Sequence, residues 1–224
     1  MDREGVIPII KAVIFDLDGT LLNRDASVQR FVRNQYDRLI DCLSHIPKEE
    51  YISRFIELDN KGYVWKDKVY QQLTEEFHIH HLTWEALLRD YIEQFHHSCV
   101  PFPNLLETLT KLKSKSMKLG IITNGLGQFQ LDNIQALEIE NFFDIILVSE
   151  WEGIKKPDPE IFHKALLELS VTSSEAIYVG DHPFNDVKGA KDVGMISVWK
   201  RDSSWECGDA DFIIDDLSEI LEIA

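Results

Sequence analysis

Positive charge is what this chain of 224 residues has least of: 23 Lys and Arg stand against 39 Asp and Glu, a formal net charge of −16. Such a surface repels nucleic acid and anionic lipid, so an anionic ligand has to be held by local cations. Long apolar runs are missing too. The most apolar N-terminal stretch, GVIPIIKAVIF, is interrupted by Pro8 and Lys11, is too short to span a bilayer, and lacks a small-residue cleavage site after it. Neither a membrane anchor nor a signal peptide is expected. Cysteine is scarce: Cys42, Cys99 and Cys207 are odd in number, far apart and in no metal-ligand spacing, which suits free thiols in a reducing cytoplasm. The chain also has no internal repeat, low-complexity tract or flexible linker. With 44% hydrophobic residues it has enough apolar side chains for one ordinary domain and a modest insertion.

From residue 102 onward, short apolar runs alternate with helix-period segments, the pattern of a parallel sheet covered by helices. KAVIFD (11–16), KLGIIT (118–123), DIILVS (144–149), AIYVG (176–180), MISVW (195–199) and DFIID (211–215) predict six strands. Helices are expected near 103–115, 126–137, 158–169, 184–193 and 216–223, opened by residues such as Asn104, Asp158 and Asp186. Residues 24–98 differ, with helix periods over 26–44, 47–60, 66–78 and 83–97 and no convincing strand. The expected fold is therefore α/β, a Rossmann-like doubly wound parallel sheet formed by 1–23 and 99–224, with an all-helical cap domain at 24–98 inserted after the first strand. Such a cap would exclude water from a site below it. A larger α/β fold with extra helices would give the same sheet.

Ligands of open parallel sheets bind beyond the carboxyl ends of the strands, and here the polar residues collect at those ends. Asp16 and Asp18 close the first run and point to one side of an extended chain, where two crowded carboxylates repel unless a cation or donors compensate. Thr123-Asn124-Gly125 closes the second, Lys156 lies in KKPDP after the third, and GDHPFND (180–186) closes another. Each stretch has an ordinary reading: a turn at Asp18-Gly19, a loop at TNG, a solvated lysine, or a helix start capped by Asp181 or Asn185. Their common position at strand ends describes a site.

The same residues resemble the haloacid dehalogenase-like hydrolases. That family's Asp-x-Asp-Gly-Thr motif is matched by Asp16-Leu17-Asp18-Gly19-Thr20, its strand-terminal Thr or Ser by Thr123, its lysine by Lys156 before Pro157, and its Gly-Asp followed by a further Asp by Gly180-Asp181 and Asp186. His182 and Pro183 depart from the Ser or Thr often found after Gly-Asp. The resemblance implies a Mg²⁺-dependent phosphatase acting on a small phosphorylated metabolite. Asp16 would be the nucleophile and Asp18 the acid and base. Thr123, Asn124, Gly125 and Lys156 would hold the phosphate, with Thr123 and Lys156 also serving catalysis. The ion would lie between Asp16, the Asp18 backbone carbonyl, Asp181 and Asp186. Since a halide leaving group needs no proton, Asp18 points away from dehalogenation and toward phosphate esters. TNGLGQFQLDNI, KKPDPEIF and GAKDVGMISVWK look most like the branch containing nucleotide monophosphatases and the phosphatase acting on N-acylneuraminate 9-phosphate.

A phosphomutase of the β-phosphoglucomutase type shares these motifs, and a regulatory protein that kept the fold without turnover is a further alternative. A cytoplasmic monomer or homodimer is expected. His78, His80, His81, His96 and His97 have no accompanying ligand pattern and read as surface or capping residues. In NKGYVWKDKVY (60–70), Tyr63 and Trp65 are expected to pack within the helical block, the alternative being that they, Lys66 or Lys68 face a leaving group.

Overall fold

The computed structural model describes residues 9–206 and 209–224, so Cys207 and the start of the first apolar stretch lie outside the described residues. The chain forms two compact units, one of residues up to Leu22 with Pro101–Ala224, the other Asn23–Val100.

The first unit is built on six parallel strands: β1 (Ala12–Phe15), β2 (Lys118–Thr123), β3 (Ile145–Val148), β4 (Ala176–Gly180), β5 (Ile196–Lys200) and β6 (Phe212–Ile214). Their order is β3-β2-β1-β4-β5-β6. The chain first winds outward from β1 through β2 to β3, then restarts at β4 on the other side and winds out to β6. The reversal falls between β1 and β4, the place where an open α/β sheet leaves a crevice at its carboxyl edge. Register is tight there, with Phe15 opposite both Ile121 and Val179. All four residues of β1 are buried, as expected for a central strand covered on both faces.

One face packs on α9 (Pro159–Glu168), whose Ile161, Phe162 and Ala165 join Ile14, Ile122, Leu147 and Tyr178 in a continuous core. Phe162 meets Tyr178 edge-on at 5.1 Å between centroids. Asp158 caps α9 by accepting from the Glu160 N–H, and Pro159 occupies the first helical position, where its missing N–H costs nothing. Asn104 does not cap α6 (Leu105–Ser114): it adopts left-handed backbone (φ 60°), and its amide donates instead to Asp216 at 2.9 Å. The last helical segment has the expected extent but opens as a 3₁₀ turn at Leu217–Glu219, followed by α11 (Ile220–Ile223).

The second unit is helical throughout its described elements. The expected helix over 26–44 is two, α1 (Arg24–Arg38) and α2 (Ile40–Leu43), because Leu39 leaves helical geometry (φ −108°, ψ 22°). The Cys42 N–H then closes a tighter turn on the Leu39 carbonyl, and Leu43 and Ile46 are buried beyond it. Next come α3 (Lys48–Asp59), α4 (Lys66–Glu76) and α5 (Trp84–Gln94). Asn23 caps α1 and Thr83 caps α5 through their side-chain oxygens. Aromatic rings fill the interior, Phe31 lying 5.1 Å from Tyr91 and Phe55 5.4 Å from Tyr70.

Tyr63 and Trp65 are not part of that core; they are 55% and 76% exposed. The chain between α3 and α4 turns through left-handed Asn60 and Lys61, which carries the two rings to the surface. Lys66 instead turns inward to pair with buried Asp59. Among the described residues no helix is long and apolar enough to cross a membrane.

Candidate active site

The strand-end residues meet in the sheet unit. Asp16 follows β1 directly, its N–H bonded to the Val179 carbonyl at 2.9 Å, so main-chain pairing to β4 fixes where its carboxylate begins. Asp181 follows β4, and Asp186 comes from the wide helical turn Pro183–Lys188 that succeeds it. One carboxylate oxygen from each of Asp16, Asp181 and Asp186 falls within a 4.8 Å cluster. Two glycines permit this crowding. A Cβ on Gly19, whose φ is +85°, would stand 2.3 Å from Asp181 Oδ2, and one on Gly180 would stand 2.4 Å from the Asp186 Cβ.

Lys156 reaches the cluster from the loop after β3. Its Nζ is 2.5 Å from Asp16 Oδ1, 2.7 Å from Asp186 Oδ1 and 2.9 Å from the Tyr178 hydroxyl, and all four side chains are buried. The loop is held by Asn124, whose side-chain carbonyl accepts from the Lys156 N–H at 2.9 Å while its amide donates to the Lys156 carbonyl at 3.0 Å. The Asn124 side chain is thus a clamp on the lysine. Gly125 donates its N–H to Ser149 Oγ at 3.0 Å. Thr123, at the end of β2, is buried with its hydroxyl 2.8 Å from Gln130 Nε2.

Asp18 stands apart from the three clustered acids. Its Oδ2 accepts from Gln130 Nε2 at 2.7 Å, and its carboxylate is only partly buried. The chain around it is braced from β5, where the Trp199 indole donates to the Asp181 carbonyl at 2.6 Å and Lys200 Nζ donates to the Gly19 carbonyl at 3.2 Å.

Charge is unbalanced at the cluster. Burial pushes the Asp16 carboxyl up to about 7, Lys156 pulls it back, and Asp186 and Asp18 add to the rise. Burial likewise lifts Asp181 well above the usual carboxylate range, with Asp16 and Asp186 adding repulsion. Lys156 is held charged: burial disfavours its ammonium, but Asp16 and Asp186 outweigh that and raise it well above the ordinary lysine value. Lys156 pairs with Asp16 and Asp186, and Lys200 acts on Asp181, so the three clustered carboxylates still outnumber the cations beside them. A hard divalent cation ligated by oxygen fits that deficit and that donor set.

Three of these residues carry no sequence signal that isolates them. Gln130 reads as one polar position of α7 (Gly127–Ala136), and Tyr178 as a strand aromatic. His182 is the third. Its Nδ1 accepts from the Phe184 and Asn185 N–H groups, so it caps the turn in place of Asp181 or Asn185. A feature that could have raised Gln130 is its place in the first turn of the helix that follows the strand-terminal Thr123-Asn124-Gly125.

Residues 13–200 match the family model described as haloacid dehalogenase-like hydrolase. Glyceraldehyde 3-phosphate phosphatase from Pyrococcus furiosus is 31% identical over 242 aligned positions, covering 96% of this chain and 92% of that protein. Among solved structures, the HAD phosphatase from Thermococcus onnurineus is 30% identical with a TM-score of 0.67, covering 96% of this chain and 97% of the other. The HAD-hydrolase YfnB from Bacillus subtilis, bound to magnesium, shares the fold with a TM-score of 0.74 at 21% identity, over 96% and 98% of the two chains. The chain belongs to the haloacid dehalogenase-like hydrolases. Within that family it is a phosphatase.

Proposed function

We propose that the enzyme hydrolyses a small soluble phosphate monoester through an aspartyl phosphate on Asp16, with Mg²⁺ held by Asp16, Asp181, Asp186 and the Asp18 backbone carbonyl. The observation that carries this reading is the cluster of Asp16, Asp181 and Asp186 carboxylates at the β1/β4 crevice, with the buried Lys156 ammonium paired to Asp16 and Asp186. A nucleophile in such a place needs its charge and that of the incoming phosphate offset together, and phosphoryl transfer depends mainly on positioning and charge neutralisation. Bound at the carboxylates, the ion would supply charge stabilisation to the phosphoryl oxygens. Lys156 favours the ionised form of Asp16 and orients it, the Thr123 hydroxyl donates to a phosphoryl oxygen, and Asp18 protonates the leaving oxygen and then deprotonates the attacking water.

The name of the Pyrococcus furiosus relative makes glyceraldehyde 3-phosphate the first substrate to test. Nucleoside monophosphates and N-acylneuraminate 9-phosphate follow from the motif resemblance. Free Cys42 and Cys99 suit a cytoplasmic setting. The deciding experiment is hydrolysis of p-nitrophenyl phosphate by metal-stripped protein with and without added Mg²⁺, followed by a panel of phosphorylated metabolites. Mg²⁺-dependent turnover is expected. Absence of turnover on every ester at millimolar Mg²⁺ would leave a non-catalytic protein of the same fold.

A further inference from the structure

Gln130 is 2% exposed and its amide is the junction between the two polar strand ends that the Lys156 cluster does not reach. Nε2 stands 2.7 Å from Asp18 Oδ2, 2.8 Å from Thr123 Oγ1 and 3.3 Å from the Asn124 carbonyl, while the Asn133 amide donates to Gln130 Oε1 at 3.2 Å. A carboxylate and a main-chain carbonyl only accept, so the nitrogen end of the amide is the one that faces them. It has two hydrogens, and the two shorter contacts take them. Two consequences follow for the partners. Thr123 Oγ1 is an acceptor in this bond and therefore keeps its own hydrogen to donate elsewhere. Asp18 has Oδ2 occupied, so a proton it carries sits on Oδ1.

We propose that Gln130 is a positioning residue of the phosphatase reaction, orienting Asp18 for proton transfer and setting the Thr123 hydroxyl as a donor to the phosphoryl group. This rests on the phosphatase reading given above. In the first half-reaction the Asp16 oxygen bonds to phosphorus, the ester P–O bond breaks, and the proton on Asp18 Oδ1 passes to the leaving oxygen. In the second, a water oxygen bonds to phosphorus, the Asp16–phosphorus bond breaks, and a proton of that water returns to Asp18 Oδ1. Gln130 neither gives nor takes a proton; it decides which oxygen of Asp18 does.

Gln130→Met keeps an unbranched side chain of similar size and removes both donors, whereas Gln130→Glu keeps the shape and puts an acceptor there. Each is compared with wild type on phenyl phosphate and p-nitrophenyl phosphate, with inorganic phosphate as competitive inhibitor. Phenolate is the poorer leaving group, so the Met variant should lose about tenfold more on phenyl phosphate than on p-nitrophenyl phosphate. Its inhibition constant for phosphate should rise about 3- to 10-fold as Thr123 loses its enforced donor role. The Glu variant should be worse in both respects, since its carboxylate repels Asp18 and captures the Thr123 hydrogen. A side chain that only fills space would lower both substrates by one factor and leave phosphate inhibition unchanged, and that result overturns the proposal. If Gln130→Met does not fold, Asn133→Ala, which releases Gln130 Oε1, should show the same leaving-group bias at smaller size; an equal loss on both esters overturns the proposal there. Wild type that hydrolyses neither ester brings down the phosphatase reading itself, and this inference with it.

Discussion

In the helical unit buried Asp59 lies between Arg24, which donates to both its oxygens at 3.1 and 2.9 Å, and Lys66. In the sheet unit Asp16, Asp181 and Asp186 cluster, Lys156 pairing with Asp16 and Asp186 while the Lys200 charge acts on Asp181. One acid with two cations has no negative charge left to neutralise, and it ties α1, α3 and α4 together. Acids that outnumber the cations beside them make a cluster with room for a further positive charge. The two units use the same residue types, and only the count of charges separates a structural ion group from a candidate metal site.

The largest expected effect comes from taking one acid from each cluster. Asp16→Asn should lower turnover by about 10⁴-fold or more, because an amide is not a usable nucleophile, while the protein stays folded and loses a buried repulsion. Steady-state turnover near wild type, with deamidation excluded by mass spectrometry, would remove Asp16 from the mechanism. Asp59→Asn should act in the opposite sense, lowering stability by removing the buried carboxylate charge that Arg24 and Lys66 share. It should leave the Mg²⁺ response of the melting curve intact. Next in size, Asp18→Asn should slow phenyl phosphate by about 10²–10³-fold and p-nitrophenyl phosphate much less. Equal losses on the two esters would argue against proton transfer at Asp18.

The legible part of the molecule is the part whose position is set by strand direction alone. Asp16, Thr123 and Asp181 each follow an apolar run, so any parallel sheet that buries those runs delivers them to one edge. The helical character of Asn23–Val100 follows from its periodicity as well. What the chain's pattern does not carry is contact between elements. Gln130 looks like a solvated helix position until β1 and β2 bring Asp18 and Thr123 onto it. His182 looked like a departure from a motif, yet its Nδ1 serves as the cap that an acid or amide was expected to provide. Tyr63 and Trp65 were expected inside because rings usually are, but two left-handed residues in succession overrode that tendency. The break at Leu39 is of the same kind, since burial of Leu43 and Ile46 outweighs continuation of the helix.

The contrast in charge count makes a thermal test. Mg²⁺ should bind the folded carboxylate cluster better than the unfolded chain, and at roughly 100 times its dissociation constant it would add about 2.7 kcal/mol by mass action. For a protein of this size that corresponds to a rise in Tm of about 5–10 °C. Asp181→Ala should shrink the rise and the activity together. Asp209→Ala changes an exposed acid paired with Lys191 at 2.7 Å and should change neither. A wild-type Tm and activity indifferent to Mg²⁺ across millimolar concentrations, with no metal carried through purification, would mean that the cluster's charge is settled by protons instead.

The smallest effect belongs to an exposed pair in the helical unit, where no charge is missing. Arg54 grips both oxygens of Glu76 at 2.7 Å and Gln72 donates to it as well, which together hold the Glu76 carboxyl down at about 2 from an ordinary 4.5. A carboxylate lowered in the folded state binds its proton more readily in the unfolded state, so its stabilisation is fully present above about pH 4.5 and disappears as pH falls toward 2. Solvent screening keeps the contribution of such an exposed pair small. Glu76→Gln should therefore be slightly less stable than wild type at neutral pH and converge with it in acid. The measurement is urea unfolding of both proteins at pH 7, 4.5 and 3 in low salt, with a repeat in high salt that should narrow the neutral-pH gap. A gap that stays constant across the three pH values would mean that Glu76 contributes through packing and not through its charge.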